Sequence, residues 1–243
     1  MTRLGFIYPG GGAEPDYYRF AEAHDFQAFL VGSRIPGGDD HDVAALLQTA
    51  RTEYIIEAAQ RLMTLRVDVV LWACTSGSFI VGRSMAEAQV RALRELTGKP
   101  ATSTSLGFID ALAALGARRV AVIATYPEPA ARAFAAFLAA FGVTVKSLSA
   151  LGAATGFDAA RIGGERLRQA LASADLDGAD AVLVPDTALP TLDVVEALEA
   201  SAGISVLTAN QVTLWAALGL VRHHVGTAEF GRIFSVAYKE GLR

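Results

Sequence analysis

Short runs of uninterrupted apolar residues recur along the chain, and longer segments whose apolar positions return every three or four residues lie between them. The runs "LGFIY" (4–8), "FLVG" (29–32), "DVVLWA" (68–73), "ATST" (101–104), "RVAVIAT" (119–125), "VTVKSLS" (143–149), "DAVLVP" (180–185) and "ISVLT" (204–208) predict strands. The periodic segments predict helices over 43–64, 84–97, 106–115, 128–141, 158–174, 190–201 and 210–219. Strands apolar at successive positions belong to sheets covered on both faces. Alternating with helices, they give an α/β class built on parallel sheets.

The two halves repeat each other. "DVVLWACT", from Asp68 to Thr75, matches "DAVLVPDT", from Asp180 to Thr187: an acidic residue stands six positions before a polar one that Thr follows. "RLGFIYP" (3–9) resembles "RVAVIATYP" (119–127), and "TSTSLGFIDALAALG" (102–116) resembles "VLTANQVTLWAALG" (206–219). Such matches point to an internal duplication. Parallel α/β sheets bind ligands at the carboxyl ends of their strands. Two facing units would therefore bring Cys74 and Asp186 to one ligand from opposite sides, an arrangement suited to removing a proton from one face of a carbon and returning it on the other.

Composition narrows the field. With 243 residues, 52% hydrophobic and 19% charged, the chain can bury one large core or two small ones. Its 21 basic and 25 acidic residues are interspersed, for a net charge of −4, and no basic block is available to neutralise phosphates, so nucleic acid is not an expected partner. A single cysteine forms no internal disulfide, the first residues lack a signal-peptide pattern, and no apolar run approaches the roughly 20 residues of a membrane span. The expectation is a soluble cytoplasmic protein without a membrane partner, and a homo-oligomer is compatible with it.

Cys74 closes an apolar run and precedes Thr75, Ser76, Gly77 and Ser78. A helix starting there would turn free N–H groups toward the sulfur and favour thiolate, so a depressed pKa is expected; the alternative is a small buried hydrophobe. Asp186 stands among Leu183, Val184, Pro185 and Leu189, surroundings that would raise its pKa and keep it protonated as an acid opposite Cys74; the alternative is a helix N-cap. Arg34 in "VGSRIPGG" follows the second strand and is a candidate partner for a substrate carboxylate or an exposed loop residue. Other signals are weaker. "GSFIVGRS" (77–84) lacks the lysine of a phosphate loop, "PGGG" (9–12) lacks a dinucleotide register, "GGDDHD" (37–42) reads as a solvated cap rather than a metal site, and adjacent His223 and His224 point apart. No metal is expected.

On "YPGGG", "CTSGSF", "TSTSLGFIDALAALGARRVAVIATYP", "VLVPDTALPTLD" and "TANQVTLWAALGL", the chain resembles the aspartate/glutamate racemase superfamily, and most closely its branch containing maleate cis-trans isomerase and arylmalonate decarboxylase. The resemblance implies two Rossmann-like lobes related by a pseudo-twofold, no cofactor and a carboxylate-binding pocket in the cleft. It implies that Thr75 and Ser76 cradle a substrate carboxylate, that Tyr126 is the pocket tyrosine, that Thr187 follows the second catalytic position, and that Pro9 and Gly10 form the first loop. Two departures stand out: the catalytic pair is mixed, Cys74 with Asp186, and the first loop lacks the asparagine of maleate isomerase. The expected lobes are 1–106 with 211–243, and 107–210. The expected function is a cofactor-independent racemase or isomerase acting on a small carboxylate through Cys74 and Asp186. The alternatives are a decarboxylase of a malonate-type acid and a non-catalytic carboxylate-binding protein.

Overall fold

The computed structural model describes residues 1–238. Its first half runs β1 (Arg3–Ile7), α1 (Glu14–Ala23), β2 (Gln27–Val31), α2 (Val43–Thr49), α3 (Thr52–Met63), β3 (Val69–Trp72), α4 (Thr75–Phe79), α5 (Gly82–Thr97), β4 (Ala101–Ser103) and α6 (Thr104–Leu115). The second continues through β5 (Arg119–Ala124), α7 (Glu128–Ala139), β6 (Thr144–Ala150), α8 (Gly156–Ala160), α9 (Gly163–Ser173), β7 (Ala181–Val184), α10 (Val195–Ala202), β8 (Ser205–Thr208) and α11 (Ala209–Leu220), and a short 3-10 turn follows at Arg232–Ser235.

Each half forms a four-stranded sheet, ordered β2-β1-β3-β4 in the first and β6-β5-β7-β8 in the second. Every pairing is parallel. The interior strands β3 and β7 are buried at all four positions, as their apolar runs require. The duplication extends to single hydrogen bonds. Asp68 accepts from the Arg3 amide at 2.9 Å, and Asp180 accepts from the Arg118 and Arg119 amides at 3.0 and 2.8 Å. In both halves an acid entering the third strand thus clamps the start of the first. The Arg119 guanidinium adds a bond to Asp180 at 2.7 Å, and these donors hold the Asp180 carboxyl well below the usual carboxylate range.

Helices α6 and α11 form the seam between the halves. The first nine residues of α6 are buried, as is every residue of α11 except Gly219. Helices apolar on all sides belong in an interior. A hydrogen bond joins their buried hydroxyls, Thr104 to Thr213, at 2.7 Å. α11 also packs on β3 and β4 of the first sheet. On this packing we propose the lobe boundaries 1–106 with 211–243, and 107–210; residues 239–243 lie outside the described part.

The predicted strands all form, while three predicted helices differ. The segment 43–64 breaks at Ala50 and Arg51 into α2 and α3, and 158–174 divides into α8 and α9 around Gly163, whose φ is +69°. The segment 190–201 becomes helical only at Val195, because the Thr191 and Leu192 amides are drawn to the Asp16 carboxylate at 2.8 and 3.4 Å. α1 was not foreseen. It buries Asp16, Tyr17, Phe20 and Ala21, and its Pro15 fits the first helical turn. Among the described residues no helix is long and apolar enough to cross a membrane.

Candidate active site

The carboxyl ends of β1, β2, β3 and β7 lead into loops that meet around one cavity of about 40 Å³. β1 leads into Pro9–Gly12, where three successive glycines take φ of +107°, +138° and +109°. A side chain at Gly11 would bring its Cβ to 2.7 Å from that of Ala188, so only glycine lets the first loop of one half cross the segment after β7 of the other. Tyr8 ties the same crossing, donating to the Thr187 carbonyl at 3.3 Å and accepting from the Ala13 amide at 3.2 Å.

Cys74 stands at the N-cap of α4, the helix start expected there, and its sulfur accepts from the Gly77 amide at 3.3 Å and lies 3.7 Å from Ser76 Oγ. Ser78 and Ser105 lock this turn: Ser105 Oγ donates to the Thr75 carbonyl at 2.9 Å, and Ser78 Oγ donates to the Cys74 carbonyl at 2.7 Å. The thiol is 4% exposed. Burial pushes its pKa up to about 11 against the lowering by Gly77 and Ser76, and the Asp186 and Asp39 carboxylates add to the rise. The expected depressed pKa is therefore overturned. Desolvation, with the neighbouring acids Asp186 and Asp39, outweighs one amide and one hydroxyl, which favours the protonated thiol over the thiolate.

Asp186 follows β7 and faces the same cavity. Its backbone takes φ +137°, a strained conformation for a residue with a side chain. Oδ1 accepts from the Ala188 amide at 2.9 Å and Oδ2 from Thr125 Oγ1 at 2.5 Å. Burial raises its pKa, as expected from its surroundings, against lowering by His41, Thr125 and Ala188. Asp186 does not cap a helix.

Thr75 and Tyr126 are fully buried, and neither Thr75 Oγ1 nor the Tyr126 hydroxyl has a hydrogen-bond partner of good geometry. The Thr75 and Ser76 hydroxyls stand near enough to the Tyr126 phenol to act on it, but burial dominates and raises its pKa. Buried hydroxyls without a well-formed partner beside a cavity can turn to bond a ligand. Their donors suit an anion.

Of the residues singled out from sequence, Pro9, Gly10, Cys74, Ser76, Asp186 and Thr187 line the cavity, and Thr75 and Tyr126 lie beside its lining residues. Arg34 is not brought there. It is exposed, with Nε 3.1 Å from Glu57 Oε2 and its guanidinium over the Tyr54 ring, because the β2 loop turns it toward α3. His41 went unrecognised. It is 6% exposed, lines the cavity, and packs edge-on to Tyr126 with ring centroids 4.8 Å apart. Its neighbour Asp42 is the cap that the polar string "GGDDHD" suggested, accepting from the Ala44 and Ala45 amides. The only signal for His41 was a lone imidazole among acids. No group of three or more potential metal ligands occurs among the described residues. A larger cavity, about 270 Å³, carries Arg83 and Arg118 beside α5 and α6 but no thiol, carboxylate or imidazole, so size does not mark it as the reacting centre.

Fold and site together define a two-lobed α/β protein that holds a thiol and a carboxylate from opposite sheets over one small polar cavity. The family model for arylmalonate decarboxylase matches residues 48–234, and the chain belongs to that family. It is 33% identical over 196 residues to arylmalonate decarboxylase of Bordetella bronchiseptica, covering 78% of this chain and 76% of that one. It is 30% identical over 172 residues to maleate isomerase of Nocardia farcinica, covering 68% of each. Among solved structures, the Nocardia farcinica maleate cis-trans isomerase bound to Tris shares the fold, with a TM-score of 0.89 at 23% identity over 96% of this chain and 98% of that one. A liganded variant of arylmalonate decarboxylase gives 0.82 at 27% identity, covering 96% and 99%. The resemblance to this branch is borne out.

Proposed function

We propose that this protein is a cofactor-independent enzyme acting on a small carboxylate, and that its reaction is the decarboxylation of a malonate-type acid with Cys74 as proton donor. The observation that carries this reading is the burial of the Cys74 thiol at the cavity, which favours its protonated form, with the buried hydroxyls of Thr75 and Tyr126 close by. One substrate carboxylate sits against those hydroxyls and the other leaves as carbon dioxide, its bonding pair passing into an enediolate. The enediolate carbon is far more basic than a thiolate, so the Cys74 S–H bond breaks as the new C–H bond forms, and water returns the proton to sulfur. A carboxylate bound nearby raises the thiol pKa further, which keeps the sulfur protonated and hinders its use as a nucleophile.

Racemase or isomerase chemistry stood first on sequence and is the second reading here. What favours it is that Cys74 and Asp186 both line the cavity. It needs a thiolate or a second base, and the raised pKa of Cys74 works against the former. One experiment separates the two: a panel of substituted malonates, unsaturated diacids and chiral carboxylates followed by NMR in deuterated water. Decarboxylation predicts loss of carbon dioxide and one deuterium per product in a single configuration, with turnover abolished in Cys74→Ala. Asp186→Cys, which adds a thiol on the other face, is expected to scramble that configuration. Isomerisation or exchange at carbon without carbon dioxide release would overturn the decarboxylase reading.

A further inference from the structure

Decarboxylation through Cys74 leaves two buried titratable groups of the cavity unused, Asp186 and His41. His41 lies on the loop before α2, yet it is built into the opposite half: its amide donates to the Ala154 carbonyl at 2.8 Å, and its Nδ1 lies 3.1 Å from the Ala153 carbonyl. A carbonyl only accepts, so Nδ1 carries the hydrogen and Nε2 is left as the nitrogen that can gain or lose a proton. Nε2 is 3.9 Å from Asp186 Oδ2, and both side chains are less than a tenth exposed. No Lys or Arg lines this cavity, whereas Asp39, Asp40 and Asp186 do. An anionic ligand entering it meets acids on two sides, and His41 is the group present that can carry positive charge.

We propose that His41 and Asp186 hold a single proton between them, and that this neutral pair is what allows a carboxylate to enter a cavity otherwise walled by acids. Whether the proton sits on Nε2 or on Oδ2, the pair carries no net charge. His41 is thereby a positioning residue that acts through Asp186. This rests on the reading that the cavity takes a carboxylate, but not on which reaction follows. Facing the pair are Asp39 and Asp40 from the same loop, Tyr126 after β5 and Cys74 after β3.

The test reads binding rather than turnover, with phenylacetate, a monocarboxylate that cannot lose carbon dioxide by this route, titrated calorimetrically at pH 8. His41→Gln leaves Asp186 without its shared proton, and an unpaired buried charge close to the ligand is expected to weaken binding about tenfold or more. Removing that charge in His41→Gln/Asp186→Asn should restore affinity to within about twofold of wild type, a rescue that loop packing alone does not produce. Asp186→Asn by itself checks the pair without touching the loop. In this variant no carboxylate faces Nε2, so phenylacetate should bind at least as tightly as to wild type. Unchanged affinity in His41→Gln, a double variant as weak as the single one, or weaker binding to Asp186→Asn than to wild type would overturn the proposal. Failure of phenylacetate to bind wild-type protein would instead strike the carboxylate reading itself.

Discussion

At the level of single residues, Cys74 shows how a local sequence signal can be right in place and wrong in charge. Its position at a strand end before a helix start was legible, because Thr75, Ser76, Gly77 and Ser78 cannot continue an apolar strand. Its protonation was not, because the opposing influences come from burial and from Asp39 and Asp186, which only the tertiary fold brings near. His41 is the same lesson reversed: "GGDDHD" reads as a solvated string, and the ring is buried only because residues 153–154 of the other half receive it. The raised thiol has a measurable signature. The folded protein keeps the Cys74 proton over a range in which the unfolded chain, with an ordinary thiol near 9, has lost it. Its contribution to stability is therefore complete below pH 9 and declines as pH rises toward 11, by about 2–3 kcal/mol in all. Urea unfolding of wild type and Cys74→Ala from pH 8 to 11 should show wild type alone losing this increment. Alkylation by iodoacetamide should accelerate over the same interval; a thiol already fully reactive at pH 7 would contradict it.

Among elements, the strands were readable because being buried on both faces requires unbroken apolar runs, and β3 and β7 have them. Helix ends were less so. The polar residues of α1 face solvent while Asp16 turns inward, so "EPDYYRFAEA" shows no clean apolar stripe, and α10 starts late because Asp16 takes the amides of Thr191 and Leu192. The helix that presents the thiol depends on Gly77. A Cβ there would stand 2.7 Å from the Trp72 ring and 3.0 Å from the Cys74 sulfur. Gly77→Ala must then push α4 off β3 or rotate the thiol away from the cavity. The expected result is a stability loss of about 1–3 kcal/mol in denaturant titration and a fall in kcat of about tenfold or more, since an acid displaced by even an ångström is badly aimed. Wild-type kcat in this variant would mean that the thiol geometry is not critical.

Over the whole molecule, two copies of one sheet pattern are joined by buried polar ties that no local pattern announces. Asp16, on α1 of the first half, accepts from Thr191 and Leu192 of the second and from Asn210 Nδ2 at 3.0 Å. Asp16→Ala leaves these donors without their acceptor and should cost about 2–3 kcal/mol, lowering the urea midpoint of a single transition, whereas Asp16→Asn should retain most of that stability. Two separate transitions in Asp16→Ala would show that the halves are held together by little else. The duplication itself was visible in the sequence, since Asp68 and Asp180 recur at matching places and make matching bonds to Arg3 and Arg119. The seam helix α11 has a consequence for biosynthesis. Strands β3 and β4 are complete once residue 103 has been made, but part of the layer that covers them lies at 209–220. At about 5–20 residues per second the ribosome needs on the order of ten seconds to supply it. Throughout that interval the nascent first sheet shows water an apolar face, and a chaperone or a neighbouring nascent chain has its one opportunity to bind it before α11 arrives.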